Sequence, residues 1–174
     1  MSWNDGLTKA KITRAVLAMS NKRDGGAIVI GMQELKDKQF DPVGLSSSEV
    51  HTFNHDIMAD HIRQYADPYV DFTVRTIKCD GKQFIVIQVK EFDEIPVICK
   101  RDGTDLRNGA MYTRSRTKNE SAEVSSQSEM RDIMEMAVDK GVRKFLTRSQ
   151  RVGLTVPMAK QDAVMFDKQL EDFA

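Results

Sequence analysis

From Thr8 to Ser20 the apolar residues Ile12, Ala15, Val16 and Met19 recur at the spacing of one helix face, with Lys11, Arg14 and Ala18 projecting from the other. The segment "NKRDGG" follows. Its residues tolerate left-handed and turn conformations, so the helix is predicted to stop near Asn21. The apolar run "AIVIGM" reads as a strand buried on both faces. After the loop "QELKDKQFDPVGL", the serines of "SSSEV" ahead of Glu49 predict a helix start, and the pattern carries one helix to about Tyr65. Asp67 and Pro68 end it.

Two strands come next: "YVDFTVRTIK", with Val70, Phe72 and Val74 on one face, and "KQFIVIQVK", apolar on both faces at its centre. The Asp-Gly pair of "CDGK" between them predicts a tight hairpin. Beyond Pro96, "VICK" and "AMYTRSRT" read as two further strands joined by the turn-rich loop "RDGTDLRNG". The serine-rich "ESAEVSSQSE" reads as a linker into a long helix, with Met130, Ile133, Met134, Ala137, Val138 and Phe145 as its core stripe. The element order mixes hairpins with one early strand between helices. The expected class is therefore α+β, with a mixed sheet of about five strands and helices packed against it. The domain is expected over residues 1–151, and residues 152–174 form a tail with a short amphipathic helix after Pro157.

A chain of 174 residues with 40% hydrophobic content can bury a substantial core in one domain. No apolar run approaches the ~20 residues of a membrane span, and the N-terminus lacks the apolar centre of a signal peptide. The expected location is cytoplasmic, away from membranes. Lys plus Arg and Asp plus Glu both number 26, so there is no global basic field, and any polyanion-binding surface has to be local. Cys79 and Cys99 are too few for a disulfide framework and lack zinc spacing; both read as reduced thiols near strand ends.

Three constellations bear on chemistry. Gly25 and Gly26 precede a strand, whereas the Walker and dinucleotide glycine motifs sit between strand and helix; a turn-and-packing role fits them better than a phosphate cradle. His51 and His55 have the spacing of a helical zinc pair, but Thr52 stands where a metalloprotease has its general base, and His61 lies on the apolar face; no metal and no cofactor is expected. The basic residues are more informative. Lys22 and Arg23 lie at the helix-strand junction, Arg114, Arg116 and Lys118 along "YTRSRTK", and Lys140, Arg143, Lys144, Arg148 and Arg151 within "KGVRKFLTRSQR". Arg114 and Arg116 are two apart in a strand and so share a face, beside the hydroxyls of Ser115 and Thr117, a combination suited to phosphate.

The stretch "VLAMSNKRDGGAIVIGM" resembles the "AfaNtdGGtlliGv" signature of the Schlafen/Alba-like DNA-binding domain family, and "IPVICKRDGTDLRNGAMYTRSRTKNESA" resembles its "kPv…dg.yyiRvGs.tr.A" segment. The resemblance runs from about Leu7 to Ala122, in the right order. It implies an α+β domain that binds DNA or RNA, with Gly25 and Gly26 turning a helix into a core strand and Arg114 at the place of the family's "yiR" arginine. Such domains are often joined to an ATPase or a winged-helix segment. Neither is expected within these residues, so the chain reads as a lone domain or as a piece of a longer one. Schlafen-type ribonucleases carry paired glutamates before the first helix and an acid just after the first strand, a cluster suited to metal-assisted phosphodiester cleavage. Here only Asp5 precedes Thr8, and Met32 and Gln33 come before Glu34, so the cluster is incomplete. Ser115 and Arg116 replace the family's "vG" after the arginine.

The leading expectation is a non-catalytic nucleic-acid-binding domain, of the kind found in prokaryotic transcriptional regulators or mobile-element proteins, with Lys22, Arg23, Arg114, Arg116 and Lys118 on phosphates. One alternative is a metal-dependent endoribonuclease using Glu34 and Asp37. Another is an interaction module in which the C-terminal helix and tail pair two chains as a homodimer.

Overall fold

The computed structural model describes residues 1–35, 39–114 and 120–153. In chain order the elements are α1 (Gly6–Ser20), β1 (Gly26–Ile30), the hairpin β2 (Met32–Glu34) and β3 (Phe40–Pro42), α2 (Ser47–Val50), α3 (His55–Arg63) and β4 (Ala66–Asp67). There follow the long hairpin β5 (Phe72–Cys79) and β6 (Lys82–Val89), then β7 (Ile98–Cys99), β8 (Tyr112–Arg114), β9 (Ser121–Glu123) and α4 (Gln127–Arg151). The chain divides into two units, Met1–Val138 and Asp139–Ala174.

The first unit is built on α1. Asp5 caps it, accepting from the Thr8 amide at 2.8 Å, and Asn21 ends it at the predicted place. Ile12, Val16 and Met19 are buried as the periodicity predicts, but so are Thr13, Leu17, Ala18 and Ser20. Small residues on the flank expected to face solvent let neighbouring elements close over the helix, and α1 packs against β1, β6, β8 and β9.

The largest sheet among the described residues has three strands in the order β1-β6-β5, all antiparallel. Ile28 pairs with Ile87 and Ile30 with Ile85, and on the far side of β6 Phe72 pairs with Val89 and Val74 with Ile87. These residues meet Val16 and Leu17 in one core. Burying each such side chain contributes about 1.5–3 kcal/mol. Asp80 and Gly81, with φ of 48° and 74°, form the predicted hairpin turn.

Several expectations are corrected. Among the described residues, the three-stranded sheet and the antiparallel pairs β2-β3, β4-β7 and β8-β9 stand in place of the single sheet of about five strands. β4 and β7 are two residues long, bounded by Pro68 and Pro96, and too short to extend a ladder. β1 is not buried on both faces: it lies at the sheet edge, and Ala27 and Val29 point away from the core into solvent. The helix expected to run to Tyr65 is two helices. Ser46 and Glu49 close a capping box on α2, and Asn54 starts α3 afresh by accepting from the amides of Asp56 and Ile57 at 2.9 and 3.2 Å. His51 and His55 consequently sit outside any shared helical turn. The serine-rich linker contains β9, whose Ser121 pairs with Arg114.

α4 departs most. Ile133 and Met136 are its buried apolar residues, while Met130, Met134, Val138 and Phe145 of the expected core stripe are 38%, 42%, 63% and 62% exposed. In the second unit the C-terminal part of α4 carries Arg143, Arg148 and Arg151 on its surface.

Candidate functional site

The end of α1 is tied by one side chain to β8 and to the residue just ahead of β7. Asn21 donates from Nδ2 to the carbonyl oxygens of Val97 and Tyr112, at 2.7 and 2.9 Å, and its Oδ1 accepts from the Val97 amide at 2.8 Å. Every hydrogen-bonding direction of this 2% exposed amide but one is thereby used by backbone. Lys22 and Arg23 follow immediately. Their turn is closed by the Gly25 amide on the Lys22 carbonyl at 2.9 Å and by the Asp24 amide on Glu91 Oε2 at 2.7 Å. Gly25 has φ of 67°, and a Cβ there would lie 2.1 Å from the Val89 carbonyl oxygen. Only glycine permits this approach of the turn to β6.

Because Asn21 holds the Tyr112 carbonyl, the turn lies beside β8, two residues from Arg114. Lys22, Arg23 and Arg114 line one cavity of about 680 Å³. Lys22 and Arg23 are exposed and Arg114 is half-buried. Arg116 and Lys118 lie outside the described residues.

The first turns of α4 complete the cavity. Ser126 Oγ accepts from the Glu129 amide at 3.2 Å, and the helix then brings Glu129, Asp132 and Glu135 to the lining, with Ile133 and Met136 as buried apolar surface. Three cations and three carboxylates thus share the cavity, which is formally neutral. Arg23, Arg114 and Asp132 are each already engaged with other groups. These carboxylates were hidden in the sequence by the expectation that α4 buries its Met130–Met134 side. Their signal was the recurrence of acids every third residue along the adjacent face.

The other candidates stand apart. Glu34 lines a separate cavity of about 340 Å³ with Gly31, Met32 and Val43, and Asp37 lies outside the described residues. His51 Nδ1 meets the Ser47 carbonyl. His55 Nε2 lies 3.1 Å from the Phe72 carbonyl oxygen and its Nδ1 3.1 Å from Asp56 Oδ1, and the Asp56 carboxylate, with help from the carbonyl, raises its pKa. His61 sits between Trp3 and Tyr65, and burial, then Lys9 and Arg101, lowers its pKa. No three His, Cys, Asp or Glu side chains among the described residues are grouped to hold a metal ion. Cys79 is exposed; Cys99 is buried, with burial pushing its thiol pKa up.

A helix sheathed by a small antiparallel sheet and short strand pairs, with a polar cavity at the helix's C-terminal turn, defines an α+β domain of mixed-charge surface. Residues 1–123 match the Schlafen, AlbA_2 family, and the chain belongs to it. Among solved structures, the chain is similar to the DIP2311 protein of Corynebacterium diphtheriae, at 18% identity and a TM-score of 0.46, over 69% of this chain and 18% of that one. No curated protein sequence matches it. No helix among the described residues is long and apolar enough to cross a membrane.

Proposed function

We infer that this domain binds nucleic acid, DNA in the first instance, without cutting it, as the contact module of a transcriptional regulator or mobile-element protein. Lys22, Arg23 and Arg114 neutralise phosphates, extended by Arg116 and Lys118. The observation that carries this is the convergence of three cations, drawn from positions 22, 23 and 114, on one cavity. These cations, beside the Thr113 and Ser126 hydroxyls, are donors of the kind that suit phosphate oxygens. Membership of the Schlafen, AlbA_2 family supports the same partner class. Glu34 lines a different cavity, which supports binding over cleavage at this site.

Fluorescence anisotropy against labelled duplex and single-stranded oligonucleotides over a salt series tests it. Each phosphate neutralised contributes about 0.7–0.9 to the slope of log K against log salt. K22A/R23A/R114A is expected to weaken binding at least about tenfold and flatten that slope by about 2. The oligonucleotide should be recovered intact. Unchanged affinity and slope in the triple variant would remove these residues from the interface.

A further inference from the structure

Glu129, Asp132 and Glu135 line the cavity that holds Lys22, Arg23 and Arg114, so a phosphate backbone entering it meets carboxylates as well as cations. Its net charge cancels, so a run of phosphates entering it gains attraction from one set of groups and repulsion from the other. A ligand that carries both an anion and hydrogen-bond donors has no such conflict. The volume of about 680 Å³ lies within the range of small-ligand sites, about 300–1,000 Å³. Ile133 and Met136 lie behind the charged groups, buried at 2% and 3% exposure, and close the inner wall of the cavity.

We propose that this cavity receives one unpaired nucleotide, with its phosphate on Lys22, Arg23 and Arg114 and the donor edge of its base on the α4 carboxylates. Guanine is the base that fits: N1–H and the N2 amino group are adjacent donors that meet both oxygens of one carboxylate, whereas thymine presents a single N–H. The proposal deepens the nucleic-acid reading above and rests on it. It selects single strands, because a paired base has to leave its stack to enter, at a cost of a few kcal/mol.

The test is anisotropy with an all-thymidine strand of about 12 nucleotides, the same strand with one central dG, and one with hypoxanthine in place of that guanine. The wild-type chain is expected to bind the dG strand about fivefold or more tighter than the all-thymidine strand, from one bidentate base contact. Hypoxanthine, which lacks the N2 amino group, is expected to lose most of that gain, a result that needs no protein variant. E129Q/D132N, checked for folding by circular dichroism, is expected to bind both strands alike with the wild-type salt slope. Equal wild-type binding to all three strands overturns base recognition and leaves the phosphate contacts standing. A double variant that binds both strands more tightly, with a steeper salt slope, overturns it too, since the carboxylates then merely repel phosphate. Absence of binding to any strand at low salt removes the nucleic-acid reading itself.

Discussion

The side-chain amide of Asn21 donates to the carbonyl oxygen of Tyr112 at 2.9 Å, joining residues 91 positions apart at the point where α1 ends. With the two bonds to Val97, it fixes the turn that carries Lys22 and Arg23 against the strand that carries Arg114. Removing it leaves one buried N–H and two buried carbonyls short of a partner. Asn21→Ala is therefore expected to cost about 3 kcal/mol, measured by urea unfolding. Asn21→Asp is the sharper comparison. It retains an acceptor for the Val97 amide but puts an acid against two carbonyl oxygens, and it should be at least as destabilising, more so above neutral pH.

Gly25 and Gly81 both have positive φ, 67° and 74°, and separate backbone conformation from packing. An added Cβ at Gly81 meets nothing within 4 Å, while one at Gly25 would lie 2.1 Å from a backbone oxygen and 3.0 Å from the Glu91 amide nitrogen. Gly81→Ala is expected to cost about 1–2 kcal/mol, the left-handed penalty alone. Gly25→Ala is expected to cost roughly 4 kcal/mol, because β6 has to move as well. Equal midpoints for the two variants in a denaturant titration would contradict the close approach.

How far the sequence discloses this molecule depends on whether the deciding contact is local. The end of α1 at Asn21 and the Asp80-Gly81 turn follow from residues adjacent in sequence, and both are found where predicted. The α2-α3 break turns on whether Asn54 caps a new helix or continues an old one, which depends on burial of Phe53 at 6% exposure, a tertiary fact. The α4 stripe holds at Ile133 and Ala137 and fails at Met130, Met134, Val138 and Phe145, for a similar reason. Periodicity finds an apolar face, but with Met, Ile, Val and Ala around more than half the helix, it does not choose which part meets the core. At the site, basic residues in two separate segments were legible as candidates, whereas the carboxylates opposite them were not, since what joins them is the fold.

The orientation of α4 has a direct consequence for stability. Ile133 and Met136 are buried, and Met130 and Met134, three and two positions before them, are 38% and 42% exposed. Ile133→Ala and Met136→Ala are each expected to cost about 2–4 kcal/mol. Met130→Gln and Met134→Gln should stay within about 0.5 kcal/mol of wild type, the range of surface changes. Thermal unfolding of the four single variants checks this, and losses at Met130 and Met134 as large as that at Ile133 would restore the stripe expected from periodicity.

Trp3 and His61 meet edge to face, with ring centroids 5.5 Å apart and planes at 89°, and this histidine and His55 should respond to acid with opposite signs. Burial, with Lys9 and Arg101 nearby, lowers the pKa of His61 from its ordinary 6.5. As pH falls below that value the unfolded chain takes up a proton that the folded chain resists, so His61 contributes a loss of stability toward acid. His55 is the reverse case. The Asp56 carboxylate raises its pKa from 6.5, so its contribution is fully present below the unfolded value and disappears as pH rises through the higher folded one. In urea midpoints compared at about pH 7.5 and pH 5.5, either side of the ordinary histidine pKa, His61→Phe should shrink the wild-type loss on acidification and His55→Asn should enlarge it. Matching shifts in both variants would mean that the two rings titrate in equivalent surroundings, and the packing of His61 against Trp3 would then be wrong.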